Sequence, residues 1–252
     1  MARDDETTTP HLALAGITKR FGATVALDGV GLEIQAGSVH AVIGENGAGK
    51  STLGKVIAGV HVPDAGTMLL DGEPVSFRSP RQALERSVTT IAQELSLLPA
   101  RSVLDNVFLG MESHRGPFLD RRDARARYAA LVERTGIAIP PDAPVGALPL
   151  AVQQQVEILR ALARDARLVV MDEPTARLSA TEAAQLRGIV RALADDGRTI
   201  VYVSHFLEEV LALADAITVL RDGRLVRTAP AAQETPASLV EAMVGRALSA
   251  AF

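Results

Sequence analysis

The chain has 252 residues, of which 48% are hydrophobic and 22% charged, a composition typical of a globular protein with a substantial core. Its formal net charge of -4 argues against broad electrostatic binding to DNA or RNA, so no nucleic-acid partner is expected. The sequence contains no cysteine, which excludes disulfides, thiolate metal sites and a cysteine nucleophile. The acidic, polar start does not resemble a signal peptide, and no apolar run approaches the ~20 residues that span a bilayer.

The first part of the chain is predicted to alternate between strands and helices. Residues 1–10 are expected to form a flexible tail, and residues 11–252 a single domain. Short apolar runs with glycine breaks over residues 11–34 predict antiparallel strands. The apolar "SVHAVIG" predicts a buried strand that leads into a glycine-rich loop and a helix, a hairpin is expected at Asp71-Gly72, and "VTTIAQ" predicts a further strand.

The β pattern fades after this strand, and helical patterns predict an inserted helical subdomain at about 94–164. The strand pattern returns in "RLVVMDE" and "TIVYVSH". Between these two strands, Ser179 and Glu182 predict a capping box at the start of a helix. A hairpin is expected at Asp222-Gly223 and a last helix at about 236–245. This strand–helix alternation predicts a mostly parallel sheet.

The loop "GENGAGKS" carries the strongest chemical signal. It matches the pattern G-x-x-x-x-G-K-[ST], in which glycines let backbone N–H groups converge on phosphate oxygens at a helix N-terminus. Lys50 is expected to contact the β- and γ-phosphates, and the Ser51 hydroxyl to ligate Mg²⁺. Because the motif follows a predicted strand and opens a predicted helix, it indicates a phosphate site rather than an ordinary glycine-rich turn.

Polar residues at the ends of three predicted strands complete the site. Asp172 is predicted to hold Mg²⁺, and Glu173 to orient or deprotonate an attacking water. His205 is predicted to reach the γ-phosphate, and Gln93 to reach Mg²⁺ and the water. Taken singly, each residue is equally compatible with a structural role, such as an acidic turn or a hydrogen-bonded histidine. The hypothesis rests on four strand-end groups that converge on one phosphate site.

These residues, in this order, resemble the ATPase domain of ABC transporters, in particular the branch that energises monosaccharide import. The strings that carry the resemblance include "RFGATVALDGV", "GENGAGKST", "FRSPRQAL", "QELSLLP", "MDEPTARLS" and "VSHFLEEV". The resemblance implies an α/β P-loop NTPase (RecA-like) core with an antiparallel β subdomain and an inserted α-helical subdomain. It also implies ATP and Mg²⁺ as cofactors, and ATP hydrolysis coupled to transport across a membrane.

The resemblance assigns further roles to residues of this chain. Phe21 is expected to stack on adenine. The set expected to contact the nucleotide is Phe21, Asn46, Gly47, Ala48, Gly49, Lys50, Ser51 and Thr52. The expected metal ligands are Ser51, Gln93 and Asp172, and the expected catalytic residues are Glu173, His205 and Gln93.

The resemblance also implies partners and a location. A second ATPase domain would complete each ATP site, and transmembrane permease subunits would dock on the helical subdomain and the segment after Gln93. A substrate-binding protein would be an indirect partner, and the chain would lie in the cytoplasm, peripheral on the inner face of the cell membrane.

The segment from Leu148 to Val152 departs from the family pattern. Family members carry a serine where this chain has Pro149, and the sugar branch carries a glutamine where it has Val152. Proline suits the first turn of a helix but offers neither a hydroxyl nor an N–H to a γ-phosphate. Two alternatives to the transport ATPase stay open. One is a weakly hydrolysing regulatory module in an asymmetric pair, and the other is a soluble ABC ATPase outside transport.

Overall fold

The computed structural model describes residues 10–115 and 117–245, so that residues 1–9 of the predicted tail lie outside the described residues. The strands are β1 (Leu12–Phe21), β2 (Thr24–Ile34), β3 (Val39–Ile43), β4 (Ala65–Leu70), β5 (Glu73–Val75), β6 (Val88–Ile91), β7 (His114–Arg115), β8 (Phe118–Leu119), β9 (Leu168–Asp172), β10 (Thr199–Val203), β11 (Ala216–Arg221) and β12 (Arg224–Pro230). The α-helices are α1 (Lys50–Ile57), α2 (Pro80–Glu85), α3 (Val103–Val107), α4 (Arg121–Thr135), α5 (Leu150–Ala163), α6 (Ala180–Asp195), α7 (Leu207–Leu213) and α8 (Pro236–Val244).

A six-stranded sheet forms the centre of the molecule, in the order β12-β11-β3-β10-β9-β6. Its strands are parallel except for β12, which pairs antiparallel with β11 at one edge. Every residue of β3, β9 and β10 is buried, as expected for parallel strands that are covered on both faces. The predicted α/β fold with a mostly parallel sheet is therefore confirmed.

A second sheet, antiparallel and four-stranded in the order β2-β1-β4-β5, lies against helix α1. Leu53 and Val56 of α1 share one hydrophobic cluster with Leu27 of β2 and Met68 of β4. The hairpin between β4 and β5 turns at Asp71-Gly72, as the sequence predicts. Helix α1 is thus packed between the two sheets, which fixes the loop that precedes it.

The region from 94 to 164 contains helices α3, α4 and α5. The buried Asn106 side chain ties α3 to the preceding loop, since it accepts a hydrogen bond from the Leu98 N–H at 2.7 Å and donates to the Ser102 carbonyl at 2.9 Å. Tyr128 of α4 donates to the Ile139 carbonyl at 2.7 Å. The short hairpin β7–β8 in this region was not predicted from the sequence.

Two predicted strands are shorter than expected. Strand β6 ends at Ile91, so Gln93 lies two residues beyond it rather than at its end. Strand β10 ends at Val203, so His205 also lies two residues past its strand. Across residues 10–115 and 117–245, none of the helices combines the length and apolarity that a membrane crossing requires.

Candidate functional site

The glycine-rich loop between β3 and α1 packs closely against the backbone of β2 and β11. A Cβ atom on Gly44 would lie 2.3 Å from the Leu220 carbonyl oxygen. One on Gly49, whose φ is 101°, would lie 2.5 Å from the carbonyl oxygen of Ala26. Both positions therefore require glycine, because the loop is clamped between the antiparallel sheet and strand β11. The loop opens directly into α1, whose first N–H groups point toward it.

Lys50 is buried inside this loop. Its ammonium donates to the carbonyl oxygens of Gly44 at 2.9 Å and Glu45 at 3.0 Å. Burial lowers the pKa of Lys50, an effect that the nearby carboxylates of Glu173 and Asp172 oppose. The positive charge is thus held at the centre of the loop, where a phosphate group would meet it.

The other predicted loop residues differ in their exposure to solvent. Asn46 and Gly47 are exposed at the tip of the loop, Ala48 is buried, and Thr52 lies half-buried on α1. The exposed residues leave the mouth of the loop open to a ligand.

The Ser51 hydroxyl donates a hydrogen bond to Asp172 Oδ1 at 2.8 Å. This contact joins the start of α1 to the end of β9, two elements that are 121 residues apart in the sequence. Burial raises the pKa of the Asp172 carboxyl, while the hydrogen bond from Ser51 and the charge of Lys55 lower it. The pair is an oxygen donor set of the kind that Mg²⁺ prefers.

Glu173 follows β9 in a left-handed backbone conformation, with φ of 51°. Its N–H donates to the Val203 carbonyl at 2.9 Å, which links the ends of β9 and β10. Its side chain is largely buried, and its Oε2 atom lies 2.6 Å from Nδ1 of His205. That approach lacks the alignment of a hydrogen bond, so Oε2 is a buried acceptor without a donor of good geometry. An acidic residue held at this strained position is characteristic of functional sites.

Gln93 is exposed and lines a cavity of about 300 Å³ beside Glu173. Gln153 and Gln154 of α5 and Arg177 line the same cavity. The structure therefore brings Gln93 together with Glu173, whereas Ser51 and Asp172 do not line this cavity.

Phe21 ends strand β1 and is 42% exposed. The His61 ring meets it edge to face, with ring centroids 5.1 Å apart, and the Lys19 ammonium lies 5.5 Å from its centroid. Phe21 thus offers an accessible aromatic ring, and His61 is a neighbour that the sequence analysis did not single out.

Pro149 is the residue that caps α5, with φ of -56° and ψ of 151°. It lies one residue before the first helical turn, and its side chain makes no capping hydrogen bond. Its carbonyl accepts from the N–H groups of Val152 and Gln153, both at 3.0 Å. The proline thus fits the helix start without strain, and the position where family members carry a serine presents no hydroxyl.

One polar cluster next to Glu173 and His205 was not predicted from the sequence. Glu209 of α7 is buried and accepts hydrogen bonds from the hydroxyls of Thr175 and Tyr202. A signal was present, since Glu209 adjoins Val210 on the side of α7 that faces the core. An acidic residue on a buried helix face needs partners, and these are found around the site.

Comparison with known proteins identifies the family. The model of the family described as ABC transporter matches residues 27–176, more than half of the chain. The chain belongs to this ABC transporter family. The matched segment holds the phosphate loop, Gln93, Pro149, Asp172 and Glu173, and it ends before His205.

Several curated relatives of this ABC family chain carry names that refer to sugar import. The chain is 46% identical over 251 residues to a putative ribose/galactose/methyl galactoside import ATP-binding protein 3 of Burkholderia cenocepacia, covering 100% of the chain and 49% of the relative. It is 48% identical over 249 residues to ribose import ATP-binding protein RbsA 2 of Rubrobacter xylanophilus, covering 96% and 47%. The chain therefore spans about half the length of the curated relatives it matches.

Solved structures agree with the ABC assignment. MJ1267, an ATP-binding cassette of an ABC transporter in its ADP conformation, superposes with a TM-score of 0.83 at 27% identity, covering 95% of this chain and 100% of that one. A nucleotide-free ATP-binding cassette from an ABC transporter gives a TM-score of 0.81 at 25% identity, covering 94% and 96%.

Proposed function

We propose that this chain binds and hydrolyses ATP as the nucleotide-binding part of an ABC importer for a simple sugar. The observation that carries the proposal is the junction of the phosphate loop with the strand-end acids. Ser51 is bonded to Asp172, Lys50 is buried within the loop, and Glu173 adjoins His205. This arrangement places a cation, an oxygen donor pair and a candidate base around one phosphate position.

Mg²⁺ fits the Ser51–Asp172 pair. In the described part of the chain no group of three or more His, Asp or Glu side chains forms a metal site by itself. Mg²⁺ at nucleotide sites takes only one or two protein oxygens and completes its shell with phosphates and water, so the pair suffices. When bound with ATP, the ion supplies charge neutralisation at the phosphates.

Each of the other site residues of this chain would then have a separate role. Lys50 would exchange its bonds with Gly44 and Glu45 for phosphate oxygens. Glu173 would accept the proton of the attacking water, and His205 would stabilise the γ-phosphate while contacting Glu173. Phe21 would hold adenine against its exposed ring face, since base stacking needs only an accessible aromatic plane.

The partners are proposed from the surface of the helical region. A groove of about 390 Å³ is lined by Leu98, Leu104, Phe108 and Leu119 together with Arg101 and Asp105. Leu98 and Leu119 are 43% and 53% exposed, so apolar side chains reach solvent at its rim. Exposed apolar residues around a concave site are typical of docking surfaces, and the occupant proposed here is a permease segment. The chain would then work at the inner face of the membrane, with a substrate-binding protein as an indirect partner.

Sugar import is supported by the relatives, whose names refer to ribose and galactose import. Those relatives are about twice as long as this chain, so a second ATPase domain is the proposed companion. Pro149 favours a second candidate function, a weakly hydrolysing module in an asymmetric pair, because its capping position offers no donor to a γ-phosphate.

The proposal is tested by Lys50→Ala. The variant removes the buried ammonium and should weaken Mg·ATP binding by at least about tenfold, since a charge-assisted contact is worth roughly 1.5–3 kcal/mol. Isothermal calorimetry measures the affinity. Arg81→Ala, which removes an exposed cation on α2 away from the loop, is the control and should retain binding. Equal affinity in the Lys50 variant and the wild type would contradict the phosphate-site assignment.

A further inference from the structure

A buried carboxylate lies behind the Glu173–His205 pair and has no role in the chemistry described above. Glu209 of α7 is 7% exposed. Its Oε2 atom accepts from the Thr175 hydroxyl at 2.7 Å and from the Ser204 hydroxyl at 3.4 Å, and its Oε1 atom accepts from the Tyr202 hydroxyl. A buried charge persists only where donors satisfy it, and here the donors come from two separate chain segments.

Both segments lead directly to the candidate catalytic pair. Thr175 is two residues after Glu173, and Ser204 immediately precedes His205. Because His205 Nδ1 lies 2.6 Å from Glu173 Oε2, this contact, the hydrogen bonds to Glu209 and the backbone of the two segments together form a closed ring. It runs from Glu173 to Thr175, across Glu209 to Ser204, and through His205 back to Glu173.

Further bonds stiffen this ring. The Ser204 hydroxyl, which donates to Glu209, also accepts from the Phe206 N–H at 3.1 Å, so it sets the backbone on the far side of His205. Burial, and then the Glu209 carboxylate, raises the pKa of the Tyr202 phenol. The phenol therefore keeps its proton, and its hydrogen bond anchors Oε1 of Glu209 to strand β10. Oε2 of Glu209 remains available to accept hydrogen bonds from the Thr175 and Ser204 hydroxyls.

We propose that Glu209 is a positioning residue of the hydrolytic site, which sets the distance between Glu173 and His205 by holding Thr175 and Ser204. This inference rests on the proposed ATPase function. A displacement of about 1 Å at a catalytic group costs up to about 100-fold in rate, so loss of one of these bonds should reduce turnover without removing any group that touches the nucleotide.

The test compares three threonine substitutions in the purified chain. Thr175→Val removes the hydroxyl bonded to Glu209 at constant shape, and Thr175→Ser keeps it. Thr199→Val removes a buried hydroxyl at the opposite end of β10, where it accepts from the Gly37 N–H at 3.1 Å. Thr175→Val should lower kcat about tenfold or more while KM for ATP and nucleotide affinity stay near wild type. Thr175→Ser should restore kcat, and Thr199→Val should leave it unchanged.

A second measurement needs no turnover. Amide hydrogen exchange of the peptide that covers residues 203–207 should accelerate in Thr175→Val and stay unchanged in Thr199→Val. Glu209→Gln, which preserves side-chain volume, is the second variant and should show the same loss of kcat. A kcat within a few-fold of wild type in both Thr175→Val and Glu209→Gln overturns the inference. If the wild-type chain shows no turnover by itself, exchange alone decides: unchanged exchange in Thr175→Val overturns the positioning role, while the calorimetry of Lys50→Ala tests the proposed function separately.

Discussion

Glu173 combines three properties that single residues rarely share. Its backbone is left-handed at φ of 51°, its carboxylate is largely buried, and Oε2 lacks a well-aligned donor. Left-handed backbone at a residue other than glycine costs of order 1–3 kcal/mol, which the surrounding structure must supply. The bond from its N–H to Val203 holds the conformation in place. The backbone that carries this carboxylate is thus held in place before any substrate arrives.

Glu173→Gln tests whether this carboxylate is the base. The amide keeps the shape but cannot accept the proton of water, so turnover should fall by about 10²–10⁴-fold while ATP binding is retained. Steady-state phosphate release and nucleotide calorimetry measure the two effects. Glu133→Gln, the same change on the exposed face of α4, should behave as wild type. Turnover within a few-fold of wild type in Glu173→Gln would assign the role to another group.

Most of the candidate site was predicted at this scale, because its residues stand next to strong local signals. Lys50 and Ser51 lie in a motif with fixed spacing, and Asp172 closes a strand of apolar residues. Glu209 was missed because its partners are distant in sequence: the bond to Thr175 spans 34 residues. The edge contact of His61 on Phe21 was not predicted either, because these two residues are also far apart in the sequence.

At the scale of elements, long segments with a clear period were predicted well and short ones were not. Strands β3 and β9 and the capping box that opens α6 follow the prediction. The two-residue strands β7 and β8 are too short for any alternation to show in the sequence. Helix α2 had a usable signal in Ser79 and Pro80, since the serine caps the helix and the proline opens it, yet six residues gave no apolar face.

Strand β3 carries a buried histidine with a consequence for stability. His40 is bonded to the Thr218 hydroxyl at 2.7 Å, and burial lowers its pKa from 6.5 to about 4. As pH falls through 6.5, His40 takes up a proton in the unfolded chain, whereas in the folded chain it stays neutral down to about pH 4. The contribution of His40 to stability is therefore complete above pH 6.5 and declines by about 1 kcal/mol per pH unit between 6.5 and about 4.

This decline is measured as the free energy of unfolding in urea at about pH 7.5 and about pH 5.5. His40→Gln can still bond Thr218 and should reduce the difference between the two values. His114→Gln, on an exposed strand, should retain the wild-type difference. If the difference in unfolding free energy is the same in His40→Gln and the wild type, the pKa of His40 does not differ between the folded and the unfolded chain.

At the scale of the whole molecule, Pro149 bears on how two ATPase domains pair. In the proposed pair, the segment from Leu148 to Val152 faces the phosphate loop of the opposite domain. A homodimer would then lack the serine hydroxyl at both sites, and the loss of one such donor costs about 10²–10³-fold. A pair with a second domain that has an intact segment would keep one competent site, and the length of the relatives favours that arrangement.

Pro149→Ser combined with Val152→Gln tests this interpretation in the purified protein. If the chain pairs with itself, ATP turnover should rise by about tenfold or more. Val152 packs against the hydrophobic core of the helical region, so Pro149→Ser alone is the companion variant that leaves packing intact. An active wild-type homodimer whose rate neither variant changes would show that this segment does not limit hydrolysis.

The bond between Ser51 and Asp172 also places a constraint on synthesis at the ribosome. The phosphate loop emerges early, but its acidic partner is made 121 residues later, and His205 later still. A nascent or truncated chain that stops before β9 holds Lys50 without the carboxylates that surround it. Because a ligand stabilises only states that bind it, the nucleotide site proposed here would be complete, and able to stabilise the fold, only in chains translated through both strand ends.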